Sequence, residues 1–182
     1  MNHLGTKTIV TERMILRKFT SDDVINMYNN WASDDEVTRY LSWQTHSSIE
    51  VSKSIINLWI KEAEWIKNYQ WCIELKATSE AIGSIGVVNI MEDIQAVEIG
   101  YCIGKDHWNQ GLLTEAFEAI INFFFEQVGV NRIEAKHDTK NPASGKVMFK
   151  CGLKFEGVRR QACINNTGLC DIACYAILKE DI

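Results

Sequence analysis

A chain of 182 residues, 46% of them hydrophobic, is long enough to bury a sizeable core in one domain and too apolar to be mainly disordered. Its net charge of -5, with Lys and Arg dispersed, argues against a broad nucleic-acid surface; it still permits a local basic ligand pocket, or an acidic rim that draws an amine or a basic protein tail. The N-terminus has no apolar core behind a basic region, and no run of about 18 apolar residues follows, so neither export nor membrane spanning is expected.

In chain order, Ile9 to Arg17 reads as a strand. Thr20 or Ser21 then caps a helix reaching about Trp31, with Asp22 and Asp23 favourable in its first turn. Ser33 to Tyr40 adds another turn or two, and Tyr40 to His46 reads as an ordered loop. Ser47 with Glu50 resembles a capping box, followed by the helix stripe Val51, Ile55, Trp59, Ala63 and Ile66. Tyr69 to Leu75 and Ile82 to Ile90 read as the strands of a hairpin around the turn Lys76 to Glu80.

Val97, Ile99, Tyr101 and Ile103 alternate as a strand, and Leu113, Ala116, Phe117, Ile120, Ile121 and Phe124 recur as a buried helix face. Asn131 to His137 supplies another strand, and a short helix ends near Cys151-Gly152. Strands Gly157 to Ile164 and Cys170 to Leu178 flank Asn165-Asn166-Thr167-Gly168. No repeat or low-complexity linker divides the chain, so one domain over 1–182 is expected. The six cysteines, Cys72, Cys102, Cys151, Cys163, Cys170 and Cys174, form no CxxC and suit free thiols in a reducing cytoplasm. Cys163, Cys170 and Cys174 lack zinc-knuckle spacing, and no metal is assigned.

Two polar strand-to-helix corners carry the chemistry. The first, Lys105 to Gly111, opens into a helix whose unpaired N–H groups can seat an anion, with Asn109, Gln110, Gly111, Leu112, Leu113 and Thr114 at the turn. An ordinary structural turn is the competing reading, and the absence of Walker A and GxGxxG patterns argues against an ATPase or a nicotinamide enzyme. The second corner runs from Asp138 to Ser144; Asn141 and Ser144 either cap its helix or bond a ligand, and Pro142 makes a rigid turn. Two such corners on neighbouring strands would flank a cleft for an extended ligand. Trp43 and His46 are candidates for acceptor contact, with core packing the alternative for Trp43 and a structural or exposed histidine for His46; His137, at a strand end, reads first as structural and second as functional, and Cys102 reads as a structural thiol. His107 reads as a turn histidine and His3 as part of a loose terminus.

Trp108 to Ala116, preceded by Glu98-Ile99-Gly100-Tyr101 and followed by Asn141-Pro142-Ala143-Ser144 and Lys150 to Gly157, resembles the GCN5-related N-acetyltransferases. With Thr11 to Arg17 and Tyr40-Leu41-Ser42-Trp43, the pattern is similar to the branch that modifies N-terminal amines of ribosomal proteins. In the family's cofactor motif Trp108 stands first, Gly111 matches the central glycine, and bulky Leu113 replaces a small residue.

The resemblance implies an α/β fold, a mixed and strongly twisted central sheet flanked by helices, and acetyl-CoA as acyl donor. Main-chain amides of Asn109 to Thr114 would hold pyrophosphate, Tyr101-Cys102-Ile103 would pair with pantetheine, and Asn141 would support that arm. Glu98 would act as base through water beside the acceptor, with a surface or salt-bridging glutamate as the competing reading, and Ser144 would donate a hydrogen bond near the leaving sulfur. The implied partner is a protein N-terminus or a small primary amine, with no direct nucleic-acid or membrane partner. Aromatic outer surfaces leave room for a homodimer. A non-catalytic acyl-CoA sensor and a protein-interaction domain are the alternatives.

Overall fold

The chain opens on a hairpin. In the computed structural model, which describes residues 1–182, Ile9–Val10 (β1) and Met14–Arg17 (β2) pair antiparallel, with Ile9 opposite Leu16. Thr11 closes the turn, its N–H donating to the Met14 carbonyl at 3.0 Å and its Oγ1 accepting the Met14 N–H at 3.0 Å. Local side-chain bonding therefore interrupts the single strand expected over Ile9 to Arg17.

The following helical segment reaches Trp31 as expected, but with a change of hydrogen-bonding pattern part-way. Asp23–Met27 (α1) passes into a π turn over Tyr28–Ala32, and Asp35–Thr38 (α2) starts at Asp34, whose side chain accepts the Glu36 N–H. Neither Thr20 nor Ser21 is the cap of α1. Asp23 instead turns inward, 3% exposed, and accepts two 2.8 Å bonds from the Arg17 guanidinium and one from the Thr20 N–H. Arg17 also pairs with Glu74, tying three elements together; removing one partner would strand a buried charge.

Ile49–Glu62 (α3) begins after Ser48, which makes no side-chain cap, so the expected Ser47–Glu50 capping box does not form. The helix ends before Ala63 and Ile66, and Ile66 is exposed. Its inward face is carried by Ser52 and Ile56, with Ile55, Trp59 and Ile60 against Phe19, Met27 and Trp31. The apolar stripe is thus rotated from the expected one.

Gln70–Leu75 (β3), Ala81–Met91 (β4) and Ala96–Ile103 (β5) form an antiparallel meander. Leu112–Phe123 (α4), prolonged by a π turn over Phe124–Val128, leads to Arg132–Asp138 (β6). Pro142–Lys150 (α5), Lys154–Asn165 (β7) and Gly168–Leu178 (β8) complete the fold. One mixed sheet has the order β1-β2-β3-β4-β5-β6-β8-β7, and β5–β6 is its parallel pair.

Alternation along the strands separates two cores. Trp71, Ile73 and Ile103 pack with α4 residues Phe117, Ile120 and Phe123, whereas Cys72 and Cys102 face the α1–α3 layer. Burial of the α4 stripe agrees with its sequence period. The gap that matters for function lies in the sheet itself. β5 and β6 pair over Ala96–Glu98 and Arg132–Glu134 and nowhere beyond, so Ile99–Ile103 and Ala135–Asp138 diverge with their facing backbone edges unjoined. Each diverging strand ends in one of the two polar corners.

Candidate active site

The corner between β5 and α4 is built to present amides. A 3₁₀ turn over Lys105–His107 precedes Trp108, whose indole N–H donates to the Ile103 carbonyl at 3.0 Å. Asn109 and Gly111 both have left-handed backbone, at φ of 60° and 75°, on either side of Gln110. Such alternation turns successive N–H groups into an anion-binding concavity. No backbone N–H from residues 109–114 has an acceptor within the protein. These unpaired donors at the start of α4 match the electrostatic demand of a phosphate.

Arg13 braces this corner from the β1–β2 turn. Its Nη1 donates to the Gln110 carbonyl at 2.9 Å, while its Nε and backbone N–H reach Glu115 at 2.6 and 2.8 Å. The Gln110 amide side chain donates to the Asp106 carbonyl at 2.7 Å and is directed to the turn itself. Leu112 is buried, while Leu113 and Thr114 are half-buried, leaving main-chain groups as the available contacts of Leu112.

The second corner differs. Its N–H groups are largely occupied: Thr139 donates to Asp171, Lys140 to Asp138, and Asn141 to the Asp138 carbonyl at 2.7 Å. Asn141 Oδ1 accepts the Ser144 N–H at 3.5 Å, a long helix cap. The two corners flank the divergence but are not equivalent anion seats.

A hydroxyl pair joins β5 to the start of α5 across that divergence. From β5, the Tyr101 hydroxyl donates to the Ser144 carbonyl at 3.0 Å, and Ser144 Oγ donates to the Tyr101 hydroxyl at 3.0 Å. Burial pushes the phenol well above its ordinary range, partly offset by the Ser144 hydrogen bond, so it stays protonated at neutral pH. Ile103 is buried in the larger core. Cys102 Sγ lies 3.5 Å from Ser84 Oγ, and burial pushes its thiol up, which keeps it an unreactive thiol.

Glu98 projects from β5 on the face opposite Tyr101. Its carboxylate lies 2.8 Å from Lys136 Nζ, linking the last paired residue of β5 to the start of the diverging part of β6. Trp43 is half-buried, with its ring 5.3 Å from that of His46. His46 itself is buried, and its Nδ1 bonds Ser52 Oγ at 2.7 Å; burial lowers its pKa. It supports Trp43 from beneath and is closed to a substrate in this arrangement. His137 donates from Nδ1 to the Asp138 carbonyl at 2.7 Å, while its Nε2 is packed against Gly145. That ring belongs to the β6–α5 contact.

The family model for an acetyltransferase (GNAT) domain matches residues 13–154. The chain belongs to the GNAT acetyltransferase family. This GNAT enzyme is 34% identical over 169 residues to the uncharacterized N-acetyltransferase YoaA of Bacillus subtilis, covering 93% of this chain and 95% of the relative. It is 31% identical over 97 residues to the ribosomal-protein-serine acetyltransferase of Escherichia coli, covering 53% and 54% of the two chains. A solved RimL, a ribosomal L7/L12 alpha-N-protein acetyltransferase in complex with coenzyme A, shares its fold with a TM-score of 0.82 at 20% identity, over 94% of this chain and 98% of that one.

The GNAT assignment makes the protein an acetyl-CoA-dependent N-acetyltransferase. The free amides at 109–114 fit the diphosphate of that substrate. The structure brings the expected corner, Tyr101, Glu98 and Ser144 to the β5–β6 divergence. Arg13 and Lys136 are not among the expected residues, because their contacts there come from partners distant in sequence.

Proposed function

We propose that the acceptor is the N-terminal α-amine of a protein, with ribosomal proteins as the leading class. The observation carrying this reading is the sequence relationship to the E. coli ribosomal-protein-serine acetyltransferase. Six free thiols accord with a reducing, cytoplasmic setting.

In this reading, amides of residues 109–114 bind pyrophosphate and the unpaired β5 edge at Tyr101-Cys102-Ile103 receives pantetheine. Asn141, which uses Oδ1 for its helix cap, offers its Nδ2 to the same arm. Glu98, with Lys136 holding its carboxylate, accepts the amine proton through a water molecule. The freed nitrogen pair attacks the thioester carbonyl; as the C–S bond breaks the sulfur takes a proton from the Ser144–Tyr101 hydroxyl pair, and the second proton lost by the nitrogen as the amide forms returns through water to that pair. Direct transfer requires no acyl-enzyme, so placement of the two substrates supplies much of the acceleration. Trp43 forms part of the acceptor wall.

The test follows CoA release and product mass together, with acetyl-CoA and peptides beginning in Ser or Ala, beside a panel of free amino acids and polyamines. Addition of one acetyl group to a peptide, abolished by blocking its N-terminus, is the expected result. Acetylation confined to small amines would replace the protein acceptor with a small-molecule one.

A further inference from the structure

Asn166, at the tip of the β7–β8 hairpin, makes more contacts than its turn requires. Its backbone N–H donates to the Leu41 carbonyl at 3.2 Å. Its Nδ2 donates to the carbonyls of Thr38 and Trp43 at 2.9 and 2.8 Å, and its Oδ1 accepts from Gln44 Nε2 at 2.7 Å. Asparagine in a hairpin turn is usually favoured for left-handed backbone. Asn166 is outside that region, so its amide side chain is the feature the site uses.

These bonds complete a hoop across the diverging strands. At the end of β5, Gly104 packs so closely on the Asn30 carbonyl that a Cβ would approach it to 2.4 Å, and Lys105 pairs with Glu36. The segment then continues through Thr38, whose hydroxyl lies 2.7 Å from that of Thr45, to Trp43 and Gln44. Asn166 carries the connection to the hairpin, and neighbouring Asn165 donates to Asp138 Oδ2 at 2.7 Å, at the end of β6. The hoop thus runs from one diverging strand end to the other, on the face toward which Glu98 and Cys102 point.

We infer that Asn166 is a positioning residue for acetyl transfer: it latches the Trp43 loop across the cleft and so forms the acceptor's entrance. This rests on the proposed placement of the amine beside Glu98, but not on whether that amine belongs to a protein. The donor's diphosphate seat lies at α4, outside the hoop, so the latch acts on the acceptor rather than on acetyl-CoA.

Asn166→Ala preserves a backbone that needs no left-handed residue and removes the three side-chain bonds. The assay uses whichever acceptor the wild type acetylates, a Ser- or Ala-initiated peptide or a polyamine. The acceptor KM is expected to rise at least about fivefold, the effect of losing one hydrogen bond of ordinary net strength. The KM for acetyl-CoA should stay at its wild-type value, while the melting temperature falls by several degrees because three hydrogen bonds are lost. An unchanged acceptor KM, or equal rises in both KM values, would overturn the latch. If Asn166→Ala does not fold, Gln44→Ala removes one strand of the same latch; a smaller rise confined to acceptor KM supports it, and no rise overturns it. Should wild type modify only the polyamine, the protein-acceptor reading fails while the latch is still measured on that amine.

Discussion

Tyr101 and Ser144 satisfy one another: each hydroxyl donates to the other residue at 3.0 Å. For Ser144 Oγ to protonate the sulfur its O–H must turn away from the Tyr101 oxygen, and the phenol, protonated at neutral pH, must turn from the Ser144 carbonyl to resupply Oγ. Tyr101→Phe removes the reservoir and Ser144→Ala the donor nearest the helix start. Each is expected to lower kcat by about 10²-fold, the lower end of general-acid contributions. If they act as one relay, the double variant will be barely worse than the poorer single variant, because parts of a unit are not additive. Multiplying losses in kcat would instead assign the hydroxyls independent roles. Lys136 illustrates the same locality for Glu98, since the pair across β5 and β6 fixes the carboxylate at the place where the strands stop pairing.

The β5–α4 corner converts a sequence pattern into a cradle of unpaired amides through backbone hand. Gly111 adopts a φ of 75°, and adding a Cβ in this region costs about 1–2 kcal/mol even where space is available. Arg13 then anchors the turn at Gln110 and the first helical turn at Glu115. Arg13→Ala releases both anchors without touching the Asn166 latch. It should raise the acetyl-CoA KM about fivefold or more while leaving acceptor KM unchanged, the opposite split from Asn166→Ala. Arg13→Lys should recover little, because one ammonium cannot reproduce the guanidinium fork. Steady-state titration of each substrate at saturation of the other decides it; an acetyl-CoA KM equal to wild type would make the brace irrelevant to the seat.

Across the whole molecule, the strand and helix flanking the corner are readable in sequence because Val97 to Ile103 alternates and Ala116, Phe117, Ile120 and Ile121 keep a helical period. Shorter-range signals misdirect where side chains find other partners: Asp23 serves Arg17 instead of a helix dipole, and Ser48 rather than Ser47 precedes α3. The brace and latch are hidden for another reason. Arg13 is 97 residues from Gln110, and Asn166 is 123 from Trp43, so no local period marks them. What these remote ties produce is a sheet divided by a gap that a donor substrate can bridge. Acetyl-CoA should consequently stabilise the fold: at 100 times its Kd, binding adds about 2.7 kcal/mol, or roughly 5–10 °C for a domain of this size. Hydrogen exchange should slow at 99–103 and 109–114, where free edges and amides receive the ligand, and stay unchanged in α3 at 49–62. A melting shift with uniform protection would indicate general tightening, whereas protection confined to α3 would place the donor away from the β5–β6 gap and remove the physical basis of this site.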